Sequence, residues 1–222
     1  MTRCEFCGKP LPEHSGRGRR RRFCSDACRQ RAHRAGRTMP VPPDMAMADR
    51  WLRWQLVHRG DGTSKRPIRF DGAPASSTDP ATWTSLPTAE QSTVGDGLGF
   101  ALGGGFACID LDHCYDSRGH LAGWAKMLLA PVAGRTWVEI SPSGQGLHIW
   151  GRCAERKGVK LRGLMDAEAY SQGRYMTYTG HAWRNSPARL ADLTLLFEVI
   201  KRLSKSEPDA KNPMAAERIP QP

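Results

Sequence analysis

Residues 97–114 read GLGFALGGGFACIDLDHC, and their last eight positions decide how the rest of the chain is read. Ile109 and Leu111 alternate with Asp110 and Asp112. In a β-strand alternate side chains share a face. The pattern therefore predicts a strand over Ala107–Asp112, with two apolar residues in the core and two carboxylates side by side on the other face. Neighbouring carboxylates repel each other, and a divalent cation removes that penalty. Oxygen-only donors of this kind suit Mg²⁺ or Mn²⁺. Two such ions can align an attacking hydroxyl with a phosphoryl group. Asp-x-Asp also occurs in sugar transferases, in phosphatases and on plain exposed strands, so its surroundings must carry the rest.

Those surroundings are rich in short strands. Trp51–Val57 (WLRWQLV) alternates and ends at HRGDG, a turn signal, and Arg66–Phe70 is a candidate hairpin partner. Leu98–Leu102, Thr136–Ser141, Leu147–Gly151 and Tyr175–Thr179 also read as strands. Two helices are expected. One covers His120–Leu129, and the other covers Ala188–Leu203, where Leu190, Leu193, Phe197, Ile200 and Leu203 recur at helical spacing. Strands with a few helices indicate an α+β or α/β domain, with boundaries at 47 and 203. Three prolines make 38–46 a linker. The polar, proline-bearing 204–222 is expected to be a disordered tail.

Two further stretches follow the acid pair. Ser141-Pro-Ser143-Gly144-Gln-Gly146-Leu-His148 comes after the strand TWVEIS. Glycines in a tight turn let backbone N–H groups approach an anion. Ser141 and Ser143 add hydroxyls, and His148 opens the next strand. The arrangement can cradle a triphosphate, or it is an ordinary turn with a satisfied histidine. Glu168-Ala-Tyr-Ser-Gln-Gly-Arg174 then supplies a third acid for a two-metal site, with Asp166 as a competitor. Arg174 is placed to pair with an acid or a phosphate.

The first 37 residues differ from the rest. Cys4-x-x-Cys7 and Cys24-x-x-x-Cys28 stand sixteen residues apart, a spacing that closes a tetrahedral Cys4 zinc site. Zinc binding folds a segment too small to fold alone. Among and after the cysteines lie Arg17, Arg19, Arg20, Arg21, Arg22, Arg29, Arg31 and Arg34. Eleven Arg or Lys against three Asp or Glu give this arm +8 of the chain's +11, leaving +3 for everything else. A basic arm on a rigid platform suits phosphate contact with nucleic acid; otherwise it is a solubilising tail.

The motifs IDLDHC, SPSGQGLHIW and EAYSQGRYMTYTG, in this order, resemble the three motifs of archaeo-eukaryotic primase-type polymerases, especially their phage and plasmid branch. KRPIRFDGAPASSTDPATW, from Lys65 to Trp83, also resembles that branch. The likeness covers about residues 47–203. It implies a primase-polymerase catalytic domain with an RRM-like sheet and flanking helices, acting as a template-dependent nucleotidyltransferase in phage or mobile-element replication. It further implies that Asp110, Asp112 and Glu168 hold two catalytic Mg²⁺ or Mn²⁺ ions. His148 would contact the incoming nucleotide's phosphates, with Ser141, Ser143, Gly144 and Gly146 around it. Lys65, Arg69 and Arg174 would touch nucleotide or template. The implied partners are a single-stranded DNA template and an NTP or dNTP. The third acid is commonly aspartate in the wider superfamily, which keeps Asp166 open beside Glu168. No helicase domain follows, so the expectation is a separate helicase partner, or a trimmed or stand-alone enzyme.

Composition narrows the alternatives. With 39% hydrophobic residues and a mean hydropathy of -0.54, no apolar run reaches membrane-spanning length. The opening MTRCEFCGKP lacks a signal-peptide core. A cytoplasmic location in a bacterial host, away from membranes, is the expectation. Seven cysteines, four of them in the arm, read as a metal site plus reduced thiols. A rolling-circle nickase would want a second histidine after His148, where Ile149 and Trp150 stand. A sugar transferase leaves the basic zinc arm unexplained. A non-catalytic zinc-containing DNA-binding replication or regulatory protein is the alternative to the enzyme.

Overall fold

The computed structural model describes residues 10–11, 21–25, 28, 41–60, 62–116, 119–163 and 165–206. The chain enters its folded body through a short helix, α1 (Pro43–Ala46). Met45 is fully buried, and its carbonyl accepts from Trp51 Nε1 at 2.9 Å. The expected 38–46 linker is thus corrected at its C-terminal end. The proline there opens a helix, and a buried methionine ties that helix to the core.

Among the described residues, ten strands form two sheets. The first is antiparallel in the order β2-β1-β3-β9: β1 (Trp51–Arg59), β2 (Gly62–Ile68), β3 (Gly97–Ala101) and β9 (Tyr175–Tyr178). The β1–β2 hairpin turns at Gly60, whose φ of 54° suits glycine. That register starts β2 at Gly62, four residues before the expected Arg66. Pro67 is tolerated because β2 is an edge strand.

The second sheet runs β10-β6-β4-β8-β7. Its strands are β4 (Phe106–Leu111), β6 (Leu147–Arg152), β7 (Val159–Leu161), β8 (Ala167–Tyr170) and β10 (Ala191–Asp192), and β5 (Val138–Ile140) pairs with β6. One face packs Ile109, Leu111, Leu147 and Ile149 against helices α3 (Gly123–Leu129) and α4 (Thr194–Ser206). The other face packs Cys108, Trp150 and Tyr170 against Trp51, Phe100 and Tyr178 of the first sheet. This mixed architecture is the α+β arrangement expected. A further short helix, α2 (Leu86–Gln91), precedes β3.

Several boundaries differ. The expected His120–Leu129 helix begins at Gly123, because His120 N–H is bonded to Asp116 Oδ1 at 2.7 Å and Leu121 pairs with Tyr115. The expected Ala188–Leu203 helix begins at Thr194 and runs to Ser206, which also moves the domain end past 203. Its first residues instead make β10, parallel to Gly151–Arg152. Strands β7 and β8 went unforeseen, since three or four residues carry little alternation.

Candidate active site

One row of side chains crosses the second sheet. Lys160 on β7 pairs with Glu168 on β8; Glu168 pairs with Asp110 on β4; Asp110 pairs with His148 on β6; His148 pairs with Glu139 on β5. Directly opposed residues of an antiparallel sheet project on the same side at close range. The sheet register therefore gathers side chains as distant in sequence as Asp110 and Glu168. Asp112 follows at the end of β4, where its N–H donates to Asp166 O at 2.9 Å. The next residue, His113, holds a left-handed φ of 47°. Non-glycine residues in that region are uncommon and cluster at functional sites.

The base of the site is a buried hydrogen-bond assembly. Glu139 has no solvent exposure. Its Oε1 accepts from His148 Nδ1 at 3.1 Å and from Trp150 Nε1 at 3.1 Å. Its Oε2 accepts from Thr179 N at 3.1 Å and Gly180 N at 2.9 Å. Four donors surrounding one carboxylate place the histidine proton on Nδ1. Nε2 then faces Asp110 Oδ1 at 3.6 Å. Burial opposes a charge on His148, but Asp110 and Glu139 outweigh it and raise its pKa. Asp110 is pushed up to about 6, first by burial, with Asp112 and Glu168 adding repulsion while His148 and Lys65 oppose it. Asp110 Oδ1 is buried without a hydrogen-bond partner.

Glu168 is the better partnered acid. It accepts from Tyr170 OH at 2.6 Å and pairs with Lys160 at 3.1 Å and with Arg162. Burial works to raise its pKa, but these three partners prevail and lower it. Asp166 pairs with Arg162 and with His113. Among the described residues, no three His, Cys, Asp or Glu side chains already stand grouped as a metal site.

The serine turn differs in detail from the expected cradle. Gly144 N–H is bonded to Ser141 O, Gln145 N–H to Ser143 Oγ, and Gly146 N–H to Ser141 Oγ, at 2.9–3.2 Å. The turn satisfies its own amides. Gly146 is needed for another reason: a Cβ there would lie 2.5 Å from Leu111 O, so glycine lets the turn press against β4. Ser141, Ser143 and Gly144 line a cavity of ≈ 500 Å³ with Trp54, Tyr178 and Thr179. His148 is 2% exposed, so only its Nε2 edge, beside Asp110, faces the site.

The remaining expected residues divide. Lys65 lies near enough to oppose the raised pKa of Asp110, and its Nζ is 5.8 Å from the Trp54 ring centroid. Arg174 is exposed and lies over Tyr170 at 5.1 Å, one residue removed from Glu168. Arg69 pairs with Asp71 at 3.1 Å instead of entering the site. In the arm, Cys24 and Cys28 bring their sulfurs to 3.4 Å. Arg21 is exposed, and Arg22 lies over Phe23 at 5.7 Å. Cys4, Cys7, Arg17, Arg19, Arg20, Arg29, Arg31 and Arg34 lie outside the described residues.

Sequence reasoning missed Glu139, Lys160 and Arg162. Glu139 carried a signal, as the one acid within TWVEIS, a segment otherwise reading as a core strand.

No family model matches the chain. It is 33% identical over 172 residues, 72% of its length, to a DNA primase-polymerase of Nitratiruptor phage NrS-1. The match spans 23% of that protein, so the chain corresponds to about a quarter of its relative. No helix among the described residues is long and apolar enough to cross a membrane.

Proposed function

We propose that this chain is a primase-polymerase, a nucleotidyltransferase that joins NTPs or dNTPs on a single-stranded DNA template in phage or mobile-element replication. The observation that carries the proposal is the in-register row Glu168–Asp110–His148–Glu139, with Asp112 just past the end of β4. Similarity to a phage primase-polymerase over 72% of the chain supports it.

The donor set fits a hard divalent cation. Asp110 presents a buried, unpartnered carboxylate oxygen, and Asp112 and Glu168 add charge that raises its pKa. Asp110, Asp112 and Glu168 would hold one or two Mg²⁺ or Mn²⁺. We assign Glu168 over Asp166 because Glu168 stands in register with Asp110. Ions bound there would polarise phosphoryl oxygens and offset charge on the leaving group. Binding them would require Glu168 to exchange its Lys160 and Arg162 contacts.

The reaction joins the 3′-oxygen of a primer strand to the α-phosphorus of a nucleoside triphosphate. The bond from that phosphorus to the β-bridging oxygen breaks, pyrophosphate leaves and the hydroxyl proton passes to water. Most of the acceleration comes from positioning and fixed charge. Glu139 holds His148, whose Nε2 lies 3.6 Å from Asp110 Oδ1. Lys65, Lys160 and Arg162 supply positive charge for the triphosphate, and Ser141, Ser143 and Gly144 line a cavity of nucleoside size. Cys4, Cys7, Cys24 and Cys28 would hold a structural Zn²⁺, for which the close Cys24–Cys28 sulfurs speak. The arginines beside them would grip the template backbone.

Primer extension with Mg²⁺ or Mn²⁺ tests the reading. Asp110→Asn and Asp112→Asn should each lower incorporation at least about 100-fold while leaving thermal unfolding nearly unchanged. Full activity in either variant would overturn it. DNA binding without any synthesis by the parent would favour a non-catalytic DNA-binding protein instead.

A further inference from the structure

A second cavity, of ≈ 710 Å³, has a lining that includes Tyr115, His120, Lys126, Trp183, Arg184 and Asn185. It shares Ile140 with the serine-turn cavity. Strand β5 thus lines both cavities, and the residue before Ile140 is the Glu139 that holds His148. The cavity's other wall begins three residues after Asp112, where Cys114 N–H is bonded to Gln145 O at 3.0 Å. Both walls are therefore anchored on motifs of the active site.

The chemistry of the lining is specific. Tyr115 and Trp183 give it aromatic surface, and Lys126, Arg184 and His120 give it positive charge. No carboxylate is among its lining residues, although Asp116 contacts His120 at 3.3 Å from outside it. Among the described residues neither Lys126 nor Arg184 has an ion-pair partner. Arg184 is exposed and lies 4.5 Å from the Trp183 ring centroid, in a left-handed conformation of φ 53°. An arginine in that region is uncommon and strained, and such strain concentrates at ligand sites. Its guanidinium plane presents a stacking platform backed by indole, and Lys126 stands ready for a phosphate.

We infer that this cavity takes a base and its flanking phosphate from a single-stranded nucleic acid as the strand runs past the acids. The inference rests on the primase-polymerase reading for its substrate. Aromatic faces and arginine planes stack unpaired bases without sequence preference, and lysines track the backbone. The cavity has the volume of a small-ligand site, too narrow for a duplex.

The test uses the full chain and a short oligodeoxythymidine in which 5-iododeoxyuridine replaces thymidine at successive positions. Ultraviolet irradiation couples iodouracil to an aromatic ring in contact with it, and peptide mapping then locates the coupled residue. Cross-links on Tyr115, His120 or Trp183 are expected, in Asp110→Asn as well as in the parent. The double variant Lys126→Gln, Arg184→Gly, whose glycine suits the left-handed backbone, should lower their yield about ten-fold with unfolding temperature unchanged. Cross-links confined to the N-terminal arm, or unaltered cross-links in the double variant, would overturn the inference. If the parent polymerises but does not cross-link here, this inference fails alone. If it cross-links here but never polymerises with either metal, the enzyme reading fails alone.

Discussion

At the scale of single residues, the polar face of the second sheet is organised by Glu139. A fully buried carboxylate costs several kcal/mol to desolvate unless donors surround it, and here four do. Glu139→Gln keeps the shape but turns an amide NH₂ toward at least one donor, which costs about 1–3 kcal/mol and frees the His148 ring to rotate. Groups that orient a metal-site residue typically change activity 10–100-fold when altered. The expected result is a kcat lower by about 10-fold or more, with little change in the nucleotide KM. Steady-state extension kinetics beside a thermal melt decide it. An unchanged kcat would make Glu139 purely structural. Asp110, Asp112 and His148 were legible in the sequence because alternation and a turn signal are local. Glu139 was not, because its meaning lies in a partner nine residues away across a hairpin.

At the scale of elements, helix α4 shows where local pattern stops and pairing takes over. Leu196, Phe197 and Ile200 are buried at helical spacing, and that periodicity was readable. Its start was not, because Ala191 and Asp192 are claimed by the edge of β6. Asp192 then closes the junction, with Oδ1 accepting from Thr194 N at 2.8 Å. Losing such a hydrogen bond costs about 1 kcal/mol, so Asp192→Ala should lower the urea midpoint measurably. The hydrogen bonds to the Thr194 hydroxyl and backbone hold the Asp192 carboxyl below its ordinary pKa. Its contribution is therefore full above the unfolded value and lost as pH falls through the folded value. The gap between parent and variant should close in acid. A gap independent of pH would show that the carboxylate does not hold the start of the helix. Gly151 belongs to the same junction. A Cβ there would meet Leu193 Cγ at 2.4 Å and Ala191 O at 2.5 Å, so Gly151→Ala should destabilise by about 1–3 kcal/mol.

At the scale of the molecule, the second sheet is shared by two apolar clusters, one against helices α3 and α4 and one against the first sheet. The second cluster is aromatic. Phe100 is fully buried and meets Trp51 and Phe106 at 5.0 Å and Trp150 at 6.0 Å, all edge to face. The sequence showed apolar strands but not which sheet each would join, because a strand's period of two says nothing about its partner. Sharing one sheet couples the clusters: β4 carries Cys108 into one and Ile109 into the other, so neither can melt without exposing the backbone of the other. The folded body should therefore unfold in a single step. With Trp124 and Trp183 of the helix-side cluster replaced by Phe, buried Trp51, Trp137 and Trp150 report the aromatic cluster by fluorescence, and far-ultraviolet circular dichroism reports the helices on the opposite face. Their transitions should coincide. Phe100→Ala should shift both together, by a loss of about 3–5 kcal/mol out of a total of roughly 5–15 kcal/mol. If fluorescence moved while the helical signal stayed, the two layers would be separate units. The row of acids would then lose its claim to a rigid floor, since Trp150, which donates to Glu139, sits in the layer that gave way.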